Sequence, residues 1–78
     1  MEFDQELDAT GLLCPLPVLK AAKRLRGMAE GSVLKMIADD PAAVVDVPHF
    51  CNEQGHTLVS SRTETSVQTY FIRRNSRA

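Results

Sequence analysis

Hydrophobic and polar positions along the chain follow different spacings, and each spacing predicts an element. Leu7 stands between Glu6 and Asp8 and is followed by the turn-prone Ala9-Thr10-Gly11, which predicts a short edge strand with charged borders. From Pro15 to about Gly27 the apolar Val18, Leu19, Ala22, Leu25 and Ala29 recur every three or four residues, with Lys20, Lys23, Arg24 and Gly27 on the other side. That period is an amphipathic helix, stopped by Gly27 or Gly31. Val33 to Ala38 is nearly continuously apolar, as in a central strand covered on at least one face. Asp39-Asp40-Pro41 ends it and supplies a cap and an N1 proline, so a helical turn carries Ala42 to Val45. Asp46 before Val47-Pro48 is a second start signal, with Phe50, Cys51 and Gln54 beyond and Gly55 as the stop. Pro48 predicts two helical pieces or one bent helix. His56 to Arg62 and Val67 to Arg73 are rich in β-branched and aromatic residues around a polar Glu64-Thr65-Ser66 loop, a hairpin of two antiparallel strands.

The order is therefore β-α-β-α-β-β. Its first β-α-β unit predicts a right-handed parallel crossover, and the whole predicts an α/β two-layer sandwich with both helices on one face of a four-stranded mixed sheet.

Composition narrows what such a sandwich can do. Seventy-eight residues, 44% of them hydrophobic, make one domain spanning 1–78 with a single thin core, ordered over about 5–74, and the tail Asn75-Ser76-Arg77-Ala78 is expected to be flexible. A chain this short cannot wall off a large substrate pocket, which argues against a self-contained enzyme. Nine basic and ten acidic side chains leave a net charge of -1, which argues against bulk polyanion binding. The acidic Met1-Glu2-Phe3-Asp4-Gln5-Glu6 lacks the features of a secretory signal, and no apolar run approaches the roughly 18 residues of a membrane span. A soluble, cytoplasmic protein is expected. Two cysteines are too few for a disulfide scaffold, so both thiols are expected to be free.

The local feature with chemical content is Gly11-Leu12-Leu13-Cys14-Pro15-Leu16-Pro17-Val18-Leu19-Lys20. Proline at N1 and N3 removes N–H groups that a helix start leaves unused, which places Cys14 at the N-cap. There the helix dipole and the free N–H groups of Leu16 and Val18 favour an anion, predicting a reactive, moderately acidic thiol held out in solvent. No second cysteine lies within three residues, so the C-x-x-C dithiol couple is absent. A lone exposed thiolate on a small rigid body suits passing a group between partners.

The stretch Leu7 to Lys20, with its C-P-x-P tetrapeptide Cys14-Pro15-Leu16-Pro17, resembles the signature of the TusA (SirA-like) sulfur carriers. The resemblance continues through Ile37-Ala38-Asp39-Asp40-Pro41-Ala42, Asp46-Val47-Pro48, Phe50-Cys51 and Gly55-His56, covering Leu7 to Arg74, and favours the TusA branch. It implies a fold similar to the C-terminal domain of translation initiation factor three. It also implies that Cys14 accepts sulfane sulfur as a persulfide from a cysteine desulfurase or rhodanese and hands it to a downstream carrier, with Gly11, Pro15 and Pro17 shaping the site. Destinations in such proteins include tRNA 2-thiouridine, molybdenum-cofactor synthesis and oxidative sulfur metabolism. No further cofactor and no direct nucleic-acid partner are implied, and a transiently docking carrier is expected to be monomeric.

Other residues carry weaker signals. Cys51 beside Phe50 reads as a buried packing thiol. His49-x-Cys51-x-x-x-x-His56 supplies three nitrogen or sulfur ligands at no standard zinc spacing, so no metal is assigned. Lys20, Lys23 and Arg24 are candidate docking residues for an acidic partner rim, and Arg73, Arg74 and Arg77 form a basic, frayed end. Two rival functions remain: an RNA- or ribosome-associated module, weakened by one tyrosine, no tryptophan and no net positive charge, and a thiol sensor pairing Cys14 with Cys51.

Overall fold

The computed structural model describes residues 2–75. Its elements run β1 (Gln5–Asp8), α1 (Leu16–Arg26), β2 (Val33–Ala38), α2 (Ala43–Gln54), β3 (Thr57–Glu64) and β4 (Val67–Arg73). They form one four-stranded sheet in the order β1-β2-β4-β3, with β1 parallel to β2 and the other two pairings antiparallel. This is the expected mixed sheet with two helices. β2 lies inside the sheet, and β1 at its edge.

Side chains alternate across a strand, so a sheet covered on one face buries every second residue. Leu34, Met36 and Ala38 on β2, Gln68, Tyr70 and Ile72 on β4, and Leu7 on β1 are the buried set. The intervening Val33, Lys35 and Ile37 are half-buried, so the near-continuous apolar run of β2 is a one-sided strand. Helix α1 lays Pro17, Ala21 and Leu25 into the core, with Val18 and Ala22 at its margin. Leu19 and Ala29, both assigned to the apolar stripe from sequence, are exposed. A stripe advancing by four residues, Pro17-Ala21-Leu25, replaces the one that Leu19 would have joined, and Met28 just past the helix completes it.

The second helix is continuous through Pro48, which overturns the two-piece alternative and leaves a single helix. Proline removes the N–H that would bond Val44 C=O, but Val44 and Pro48 both face solvent, where water can serve that carbonyl. Val47, Phe50 and Cys51 form its buried face. Gly55 ends it at φ 79°, a left-handed position that glycine takes without steric cost, and both Gly55 and His56 N–H groups return to Cys51 O. β3 starts one residue later than expected and runs two further, to Glu64, leaving Thr65-Ser66 as the hairpin turn, and its register with β4 shifts once between Leu58 and Ser60.

Arg74 and Asn75, just after β4, are more tightly held than their composition suggests. Arg74 Nε donates to Leu25 O at 2.7 Å, placing a cation at the carboxyl end of α1, and Asn75 Nδ2 donates to Gly55 O and Thr57 Oγ1. Arg74 and Asn75 therefore belong to the fold, whereas the expected flexibility at 76–78 lies outside the described residues.

Candidate functional site

Parallel pairing of β1 and β2 brings their carboxyl ends side by side, so the β1–α1 and β2–α2 loops are neighbours. Ligands of open α/β sheets gather at that edge. Asp8 braces the first loop from within, and Asp39 and Asp40 tie the two loops together. Asp8 Oδ1 accepts from the Thr10 hydroxyl and N–H, which hold its carboxyl below the usual carboxylate range. Asp39 Oδ1 accepts Gly11 N–H at 2.9 Å, across the two loops. Gly11 sits at φ 80°, so it is the backbone conformation, with no atom near a would-be Cβ, that calls for glycine.

Asp40, only 9% exposed, is not the helix cap read from sequence, because α2 starts at Ala43 with Ala42 as its N-cap and no side-chain cap. Its Oδ1 accepts Ala42 N–H at 3.1 Å, a short Asx turn leading into α2, while Oδ2 accepts Cys14 N–H at 2.6 Å. Its backbone carbonyl accepts the buried Gln68 Nε2, and Gln68 Oε1 accepts the Tyr70 hydroxyl at 2.6 Å. One buried aspartate thus joins the cysteine loop, through its carboxylate, to the centre of the sheet, through its backbone carbonyl.

Helix α1 begins one residue later than the sequence suggests. Pro15 is the N-cap, joined to Cys14 by a cis peptide, so Pro17 is at N2 and Cys14 precedes the cap. Leu16 N–H, assigned to an anion from sequence, is instead donated to Leu13 O at 2.9 Å. The charge nearest the sulfur comes from the other helix: Cys14 Sγ donates to Asp46 Oδ2 at 2.7 Å. That hydrogen bond, with the adjacent Asp46 and Asp40 charges, holds the exposed thiol above the ordinary cysteine range, reversing the expected acidity. Which loop lies beside Cys14 is a property of topology, and the aspartates of the second βα loop were its available signal.

Beside Cys14 an open cleft of about 300 Å³ is lined by Pro15 and Val18 and, from α2, by Asp46, His49, Phe50 and Glu53, with Gln54 at its end. Asp46, His49 and Glu53 share this face because they are spaced three and four residues apart. Nothing along the chain places His49 near the cysteine; the parallel βα loops bring it there. Exposed Leu13 and Leu16 flank the thiol. Of the candidate docking residues, Lys20 and Lys23 line a separate groove between α1 and β1, and Arg24 is engaged by Glu6 O and Gln5 Oε1. None of the three lines the Cys14 cleft.

His56 lies apart from this cleft, its ring against Phe50, with burial and then Arg74 lowering its pKa. Among the described residues no group of three metal-ligating side chains converges. Cys51 is 3% exposed, and burial pushes its thiol up to about 11. Such a thiol carries almost no thiolate near neutral pH, which disfavours a Cys14–Cys51 sensor. Treating the native protein with excess iodoacetamide at pH 8 should therefore label one cysteine, Cys14, and denaturant should release the second. Intact mass and peptide mapping count them, and rapid native labelling of Cys51 would contradict its burial.

Among solved structures, the crystal structure of a SirA-like protein from Desulfitobacterium hafniense superimposes with a TM-score of 0.75, covering 94% of this chain and all of the other at 23% identity, which shows a shared fold. The Sulfur carrier protein TusA of Allochromatium vinosum is 45% identical over 74 residues, 95% of this chain and 97% of its own length. The sequence pattern described as Sulfurtransferase TusA matches residues 5–74, and with these matches across nearly its whole length the chain belongs to the TusA family.

Proposed function

We propose that this protein is a sulfur carrier that holds sulfane sulfur as a persulfide on Cys14. The observation that carries the reading is the exposed Cys14 Sγ, fixed at the mouth of an open cleft by a loop pinned through Asp39 and Asp40, in a chain 45% identical to a protein named for sulfur carriage. A donor enzyme of the cysteine desulfurase or rhodanese type presents a persulfide. Cys14 sulfur attacks its outer sulfur, a new S–S bond forms, the donor's S–S bond breaks, and the donor thiolate leaves with the electron pair. An acceptor thiol later repeats the exchange on Cys14. No separate cofactor is required, because the cargo rides covalently on the side chain.

Rim geometry suits this task. An open cleft and exposed apolar neighbours let a partner's active site reach the sulfur, which an enclosed pocket would prevent. The protein then acts as a monomeric cytoplasmic shuttle, relaying sulfur toward tRNA 2-thiouridine, cofactor synthesis or sulfur oxidation, and it is a relay rather than a self-contained enzyme.

Incubation with a cysteine desulfurase and cysteine should add one sulfur per chain to the intact mass, and dithiothreitol should remove it. Failure to gain sulfur from either a desulfurase or a rhodanese, or recovery of the sulfur on Cys51, would refute the reading.

A further inference from the structure

The transfer above needs somewhere to put the Cys14 proton. The backbone around the thiol is fixed on both sides: Cys14 N–H is held by Asp40 Oδ2 and Leu16 N–H by Leu13 O. Within that frame Sγ points at the half-buried Asp46, 2.7 Å away in the first turn of α2. The other titratable groups facing Cys14 are Asp40 from the β2–α2 loop and, across the cleft, His49 and Glu53 from α2. The cleft lining next to α1 is Pro15 and Val18, and among the described residues no lysine or arginine lines the cleft. The described lining thus offers a carboxylate in contact with the reacting atom and no fixed cation to stabilise a free thiolate.

We propose that Asp46 is the proton acceptor of the relay, holding the Cys14 thiol protonated and aimed into the cleft at rest and taking its proton as Sγ attacks the donor persulfide. This inference rests on the carrier reading. The proton passes from Sγ to Asp46 Oδ2 while the sulfur lone pair forms the new S–S bond. The donor's S–S bond breaks heterolytically, its inner sulfur leaves as thiolate, and Asp46 returns the proton to that thiolate or to water. One sulfane sulfur changes hands, and no external oxidant or reductant is consumed. A carboxylate in contact with the sulfur can take its proton as the S–S bond forms, which avoids the cationic sulfur that attack without proton transfer would generate. The same negative charge suppresses free thiolate at rest, so the idle carrier is guarded against alkylation and oxidation.

Two readouts move in opposite directions if this is right. Asp46→Asn keeps an oxygen that can accept the S–H hydrogen bond but removes the charge and the ability to take up a proton. Its iodoacetamide alkylation profile should shift to lower pH, with labelling at pH 7 rising roughly threefold, since the carboxylate no longer raises the thiol pKa. Its single-turnover sulfur uptake from a persulfide-loaded desulfurase, at saturating donor, should fall on the order of tenfold or more. Asp46→Glu should recover part of that uptake. Circular dichroism and thermal melts of the variants establish that they fold. Uptake by Asp46→Asn as fast as wild type, or an unmoved alkylation profile, overturns the proposal while leaving the carrier reading in place. If the wild-type chain itself takes up no sulfur, the carrier reading falls and this inference with it.

Discussion

Cys14→Ser is expected to take sulfur uptake from one atom per chain to background while leaving the fold and its melting behaviour nearly unchanged. Cys14 is exposed and outside the core, and a serine hydroxyl can donate to Asp46 Oδ2 as the thiol does, so the loop keeps both of its ties. Stability should shift by no more than about 0.5 kcal/mol, as for other surface substitutions. Chemically the replacement is severe. Sulfur exchange needs a polarizable, readily ionised sulfur, and an alcohol is far less acidic and forms no stable counterpart of the persulfide. Cys51 cannot substitute, with its thiol buried and its pKa about 11. Intact mass after incubation with desulfurase and cysteine checks the outcome. Continued sulfur gain by a well-folded Cys14→Ser chain would move the carrier site elsewhere, and a collapsed melting curve would show the thiol to be structural.

That this cysteine is the one to test was legible from the chain; its electrostatic setting was not. The prolines after Cys14 announced a helix start, because proline is tolerated only where a helix leaves N–H groups unused. The cap falls one residue later than an isolated helix would place it, because Leu13 O takes the Leu16 N–H. Strands β2 and β4 were readable to the residue because an apolar or β-branched run bounded by turn residues is a local signal. Whether α2 would break at Pro48 was not, because the cost depends on whether the orphaned carbonyl meets solvent. Asp46 shows the limit most clearly. Read along the chain it is a helix-start residue; across the two parallel βα loops, 32 positions from Cys14, it becomes the nearest charge to the sulfur.

Asp40→Ala is the substitution expected to damage both stability and site. Its carboxylate, nearly buried, accepts from Cys14 N–H and Ala42 N–H, while its carbonyl accepts from Gln68 Nε2 and Ala43 N–H. Alanine keeps the carbonyl half, so the Tyr70-Gln68 network retains its anchor. The two amides facing the carboxylate lose their partner. Hydrogen bonds to a charged group contribute about 1.5–3 kcal/mol each, and partial access of water to this edge offsets some of the loss. A destabilisation of about 2–4 kcal/mol is expected. A domain of this length has only about 4–12 kcal/mol in total, so the melting temperature should fall on the order of 15 °C. Asp40→Asn keeps one acceptor oxygen and should lose roughly half as much. Function follows from the same bond: without it the loop no longer holds Sγ against Asp46. Alkylation of Cys14 should then shift toward lower pH, as in Asp46→Asn, although Asp46 itself is intact. Urea denaturation and the pH profile of iodoacetamide labelling test the two consequences separately. A loss below about 0.5 kcal/mol would mean that water replaces the carboxylate at both amides. An unchanged pH profile would mean that Cys14 finds Asp46 without Asp40, and the site would then be held by α2 alone rather than by the meeting of the two loops.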